Sequence, residues 1–376
     1  MCNWQLSLAQ QVRKERITFI GLLTICLLAI PCAAEDATPQ IKSQIDSLQQ
    51  SLKDRPVSTP DIPEAGDRIK EAIKASDDAL EAGRLYLSLE KLSQAMDLLH
   101  GARAVMDKTE TVKSGLPAFE AEWGKASLQL TAFDEQAKKH DWARGSLAIR
   151  AVAETAQGRS IPLLEGARGF ATANGPKDGL FYLGEGEGEA EFARFCSTLN
   201  TSRKPAKFAL RSFLPELYAL QEKTNAAFQP PRSIDQHTRF IMLNSALKLA
   251  RELDASRSYA GALYQYLEAT RNYGMLFAAP VEDRKQVELK SSVAAARKQW
   301  ETSGSDDSLA MLFVERAESY VAHPDGSAPT ADEWRSAQII LDQVLPAYVA
   351  AQKPAAPVQS ASGKTINLTL VRWPYT

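Results

Sequence analysis

Cysteine and histidine are scarce in this chain, four of each in 376 residues. Cys2, Cys26 and Cys32 all fall within the first 34 residues, so Cys196 stands alone in the remainder. A lone thiol excludes an internal disulfide, and burial of a core must hold the fold together. His100, His140, His237 and His323 are far apart, and none has a second ligand three or four residues on, the spacing of a metal site built on a helix. No Gly-x-Ser-x-Gly elbow, Walker-type loop or Rossmann glycine loop is present. An excess of basic residues is also missing: 44 Lys and Arg face 46 Asp and Glu, which gives no electrostatic case for nucleic acid.

The N-terminus carries the longest apolar run. Arg13, Lys14 and Arg16 precede an apolar stretch from Ile17 to Ile30, then Pro31-Cys32-Ala33-Ala34 and the polar Glu35-Asp36. Charge, apolar run and small residues, in that order, describe a secretory signal peptide, and the run is short for a bilayer span of about 20 residues. An uncleaved N-terminal anchor is the alternative. Cys32 lacks the small preceding residue of a lipid-attachment signal, having Pro31 instead. Removing residues 1–34 takes away three basic residues and one acidic residue, moving the formal net charge from −2 to −4.

Past the leader, apolar residues recur at three- and four-residue steps, and period-two alternation is nearly absent. The spacing predicts helices over 40–53, 61–82, 85–106, 116–139, 144–171, 178–199, 204–228, 233–254, 256–277, 281–301, 307–323 and 330–352. Asp61 is the expected N-cap of the second, with Pro63 in its first turn, and Gly83 closes it. Gly158 and Pro162 predict a broken fifth helix, and Pro215 a bend in the seventh. Thr330 and Glu333 form a capping box. Short turns between long helices make antiparallel neighbours, so the expected class is all-α, built of stacked helix hairpins.

One hairpin resembles the tetratricopeptide repeat family. Its pattern fits at Leu249, Ala250, Leu253, Tyr259, Ala262, Tyr266 and Ala269, where small residues allow close helix approach and larger ones fill the space around them. Arg257 stands where the family favours a turn glycine, and Gly274 where it favours proline. A weaker echo runs through Ala79, Gly83, Leu85, Ser88, Leu92 and Ala95. The resemblance implies a solenoid that binds peptides or protein segments; an irregular helical bundle is the other architecture open to the pattern.

Gly184-Glu185-Gly186-Glu187-Gly188-Glu189 admits three readings: an acidic loop for calcium, a solvated turn, or a helix whose glycines form a close-packing seam. The seam is favoured, because Phe181, Gly184, Gly188, Phe192, Phe195 and Leu199 share one helical face. Cys196 lies with Phe192 and Phe195 and reads as a buried packing residue. His140, before Asp141-Trp142, reads as a histidine at a helix end. The many carboxylates read as the wet faces of helices.

The C-terminus differs in kind. Residues 353–363 are rich in Pro, Ala and Ser, a linker composition, and residues 365–373 alternate and are β-branched. A short strand is expected there, with Ile366, Leu368, Leu370 and Trp373 as candidate interaction residues, because one strand alone must pair with its own chain, a second copy or a partner's sheet. The expected organisation is therefore a signal peptide or anchor over 1–34, a helical domain over 35–352, possibly in two lobes, the 353–363 linker and a strand tail over 364–376. No catalytic, cofactor-binding or metal-ligating residue is assigned. The leading expectation is a non-enzymatic exported protein, periplasmic or extracellular, that offers a protein or peptide interaction surface, with contact to membrane only through an uncleaved N-terminus. The alternative is a helical envelope enzyme acting on glycan or lipid through carboxylates in a cleft.

Overall fold

Glycine at three alternate positions of one helix costs about 1 kcal/mol each against alanine, so the helix containing residues 184–189 forms only if packing offsets that cost. The computed structural model describes residues 37–58, 62–139, 146–199, 204–227, 234–277, 279–323 and 326–353, and it shows how. The helices in chain order are α1 (Thr38–Asp54), α2 (Ala65–Glu81), α3 (Leu85–Val112), α4 (Leu116–Lys139), α5 (Leu147–Asn174), α6 (Pro176–Thr198), α7 (Leu214–Ala227), α8 (Ile234–Ala255), α9 (Tyr259–Phe277), α10 (Asp283–Glu301), α11 (Ser308–Val321), α12 (Ala331–Ile339) and, after a π-helical turn at Ile340–Val344, α13 (Leu345–Ala351).

Helix α6 is the middle of a three-helix layer, with α3 on one side and α5 on the other. A Cβ on Gly184 would lie 2.7 Å from the Gly101 Cα and closer still to the His100 carbonyl oxygen, and one on Gly188 would meet the Asp97 Cα at 3.0 Å. A Cβ on Gly186, on the opposite side, would meet the Ser160 carbonyl at 3.1 Å. The seam is thus two-sided. It sets α6 close against both neighbours and directs Glu185 and Glu189 toward the space between them.

Other elements wrap this layer. Helix α4 packs on α5 and α6 through Phe119, Leu130 and Phe133, and the Trp123 Nε1 donates to the Leu164 carbonyl at 2.8 Å. Helix α2 packs on α3, and the α8–α9 pair packs on α5. Helix α11 touches α3 and α5 and is backed by α10 and α12. One connected apolar cluster, from Ala37 to Ala351, runs through the whole.

The α2–α3 and α8–α9 hairpins close with the same turn. Gly83 (φ 69°) and Arg257 (φ 64°) are both left-handed, and the next residue returns a backbone bond to the helix before it, Arg84 to Ala79 at 2.8 Å and Ser258 to Leu253 at 2.9 Å. This is the Schellman closure that favours glycine, and Arg257 adopts it without one. Gly274 marks another close approach, its Cβ position lying 2.7 Å from Ile339 at the start of the π-helical turn.

Several expected details are corrected. Residues 204–213 are not helical: Phe208 and Leu210 pack on the core as extended chain, and Pro215 lies in the first turn of α7, where its missing N–H costs nothing, so it starts that helix instead of bending it. Helix α5 runs without interruption through Gly158 and Pro162. Helix α2 begins at Ala65, after Glu64 as N-cap, and Asp61 lies outside the described residues. The capping box at Thr330 and Glu333 is present as expected. There is no strand among the described residues, and the expected strand with Ile366, Leu368, Leu370 and Trp373 lies outside them, as do the 1–34 leader and His140. No helix among the described residues is long and apolar enough to cross a membrane.

Candidate functional site

Six carboxylates are buried, at Asp97, Glu154, Glu189, Asp254, Asp307 and Glu315, contrary to the expectation that acidic residues occupy wet faces only. Three of them cap helices from a distance. Glu315 of α11 accepts the Tyr86 and Leu87 N–H groups at the start of α3, both at 2.8 Å. Glu154 of α5 accepts the Gly261 N–H in the first turn of α9 at 2.8 Å. Asp254 accepts the Phe213 N–H at the entrance to α7 at 2.6 Å. The first N–H groups of a helix have no partner within it and carry partial positive charge, so a buried carboxylate from a neighbouring element answers both needs. Asp307 accepts from the hydroxyls of Ser303, Ser305 and Tyr348.

Asp97 and Glu189 have no such role. Asp97 comes from α3, 6 % exposed, and Glu189 from α6, 0 % exposed, with the two side chains hydrogen-bonded to each other. The Ser93 hydroxyl, one turn before Asp97, approaches Glu189 at 3.5 Å. Arg159 of α5 places its Nη1 2.8 Å from the Glu189 Oε1, outside hydrogen-bonding alignment. The Asp97 Oδ1 is buried with no hydrogen-bond partner. One turn before Glu189 on the same face, the half-buried Glu185 makes no hydrogen bond or ion pair with any described residue. Arg159 feels the charge of these acids, and 46 % of its side chain reaches solvent.

The electrostatics follow from burial. Desolvation, reinforced by the adjacent Glu189, holds the Asp97 carboxyl well above the usual range. Burial also raises Glu189, against the pull of Arg159. Burial pushes Glu185 up to about 7. Burial likewise raises the Cys196 thiol, which stays neutral, in keeping with its reading as a packing residue. Arg316 of α11 bridges Glu90 of α3 and Glu268 of α9 and donates to the Tyr264 hydroxyl at 3.2 Å.

Tyr264 is buried in this charged network, and Tyr259, Tyr266 and Tyr273 pack on the core. Among the described residues no three His, Cys, Asp or Glu side chains converge on a metal position. Asp97, Arg159 and Arg316 were not singled out from the sequence, and Glu185 and Glu189 were singled out only as part of the glycine–glutamate stretch. The one available signal was that Glu90, Ser93 and Asp97 share a stripe on an otherwise apolar α3 face.

These acids set a pH dependence. Glu185, and Glu315 raised by burial to about 8, bind protons more tightly folded than unfolded. Their stabilising contribution is full below about 4.5 and is lost as pH rises through 7 to 8. Glu191 and Glu333 act oppositely, since their depressed values remove stability as pH falls below about 4.5. Stability should therefore peak near pH 5 and fall by about 4–5 kcal/mol by pH 8.5, most of it from Glu315, with Glu185 discounted for its exposure. Urea titrations across that range check this, and a rise between pH 5 and 8.5 contradicts it.

No protein family, curated protein or solved structure matches this chain.

Proposed function

We propose that the protein is a non-enzymatic interaction protein of the cell envelope, exported through its 1–34 segment, and that it holds a protein or peptide segment on the helical surface where Arg159 and Glu185 reach solvent. The observation that carries this reading is the state of the Asp97–Glu189 pair. The two carboxyls are in hydrogen-bond contact and closed to solvent, whereas glycoside hydrolysis needs carboxyls about 5–9.5 Å apart with a sugar between them. The groups that solvent reaches, Arg159 and Glu185, suit recognition. The shared turn of the α2–α3 and α8–α9 hairpins supports a helical-repeat-like scaffold, tetratricopeptide-like in its small contact residues.

The test compares wild type with Glu185→Lys, a substitution that reverses the charge at a half-buried position of that surface. Affinity capture from an envelope extract of the source cell, quantified by mass spectrometry, should return a small set of proteins enriched at least tenfold on wild type and absent from Glu185→Lys. Turnover of envelope glycan or lipid by wild type, abolished in Asp97→Asn, would overturn the reading in favour of an enzyme.

A further inference from the structure

We propose that a cavity beside the α2–α3 turn binds a small organic anion, a carboxylate or phosphate head on a short apolar body, through the guanidinium of Arg84; this goes beyond the interaction reading above and stands on different residues.

The cavity measures about 490 Å³ and is lined by the α2–α3 turn, α10 and the end of α11. That size falls within the roughly 300–1,000 Å³ of small-molecule sites. Its charged lining is Arg84, Lys290, Arg297 and Glu318, and its apolar lining includes Val293 and Val321. Three cations thus face one carboxylate. Counting Glu301, which binds Arg297 without lining the cavity, still leaves the cations in excess. A positive cavity with apolar walls selects an anion that carries a carbon body.

Arg84 is the group left without a partner. The left-handed turn at Gly83 sets it between α2 and α3, and its side chain is 12 % exposed. Its Nε is buried and unpaired, and the guanidinium makes no hydrogen bond with any described residue. The acid within ion-pair distance is Glu318, whose Oε2, 3.6 Å away, already accepts from the Arg297 Nη1 at 2.6 Å. Arg297 itself is fully used, since its Nε donates to Glu301 at 2.6 Å and its Nη2 to the Gly83 carbonyl at 3.0 Å. Arg103, Arg211, Arg239 and Arg316 also donate to acceptors of the chain. A mostly buried donor without an acceptor is costly, and a guanidinium has five N–H groups in a planar fork that fits a carboxylate or phosphate. Lys290, exposed on α10, lies over the Trp334 ring with its Nζ 5.5 Å from the centroid and adds a second positive charge at the rim. A cationic ligand would be repelled here, and an apolar one would leave the Arg84 fork unpaired.

The probes are butyrate and butyl phosphate, with butanol and butylammonium as controls of the same body and chloride as a control for screening. Each is titrated into the full chain at constant ionic strength. NMR follows the Arg84 Nε–Hε signal, assigned by its loss in Arg84→Gln, and calorimetry gives the affinity. Expected are a saturable shift of that signal with at least one of the two anions and binding of butanol and butylammonium weaker by roughly tenfold or more. Arg84→Gln should lose affinity by roughly tenfold or more, with Arg84→Lys, which keeps the charge without the fork, in between. Whichever anion binds more tightly names the head. Lys290→Gln changes an exposed position, so it keeps the test valid if Arg84→Gln disturbs the turn, and it should weaken binding about threefold, the size of a surface charge contact. Equal binding of butanol, shifts that chloride reproduces, or unchanged affinity in Arg84→Gln or in Lys290→Gln overturns the proposal.

Discussion

Gly184→Ala should destabilise the protein by about 2–4 kcal/mol, although alanine is the better helix former by about 1 kcal/mol. The cause is the character of what the new methyl meets. The His100 carbonyl and the Gly101 Cα are backbone atoms of α3, and neither can turn aside as a side chain does. The methyl fits only if α3 and α6 move apart, which loosens the Gly188 contact with Asp97 one turn along and draws Asp97 away from Glu189. The control lies in α5, the neighbour of α6. Nothing stands within 4 Å of a Cβ on Gly166 or Gly169, so alanine there should stabilise by about 0.5–1 kcal/mol through propensity alone. Urea unfolding of the three variants separates the effects by sign. A stabilised Gly184→Ala protein would show that the seam is not close-packed.

That seam was legible in the sequence because its logic is local. Glycines four apart on a face with Phe181, Phe192 and Phe195 announce close approach without naming the neighbour. The apolar stripes were legible for the same reason, as period is a property of consecutive residues. What could not be read depends on partners far along the chain. Glu315 and Tyr86 are separated by 229 positions, and nothing near either says that one caps the other. Local rules put carboxylates on wet faces, whereas this fold spends several of them on the N-termini of helices such as α3, whose own N-cap residue, Arg84, makes no side-chain cap. The same limit hid the buried acid pair. Asp97 and Glu189 are ordinary acids in sequence and become unusual only when the seam brings α3 against α6. The extended 204–213 segment was missed for a related reason, since its apolar residues satisfy a helical period while Phe208 and Leu210 reach the core from an irregular chain.

Removing the guanidinium at position 316 should cost still more. Arg316 is 5 % exposed and ties three helices together: it pairs with Glu90 of α3 at 2.5 Å, pairs with Glu268 of α9, and lies over the Phe313 ring with its Cζ 5.0 Å from the centroid. Burial opposes ionisation of Glu268, but Arg316 and Arg271 outweigh it and hold that carboxyl below its usual range. Arg316→Met fills similar volume and leaves two largely buried carboxylates, only one of them still near an arginine, at 3.2 Å from Arg271. Breaking a buried ion pair from one side costs about 3–5 kcal/mol because the abandoned charge stays behind. The loss should therefore shrink below about pH 4.5, where the carboxyls take up protons and no longer need the cation. Arg316→Met combined with Glu90→Gln and Glu268→Gln should recover more than half of it at pH 7, since the desolvation of the acids goes with their charge. Arg316→Lys keeps the charge without the fork and should fall between wild type and Arg316→Met. Unfolding free energies at pH 7 and pH 4 read all of these, and an Arg316→Met loss below about 1 kcal/mol at pH 7, or one that does not depend on pH, would show that the three helices are held by apolar packing alone and that the Arg316 bridge contributes no stability.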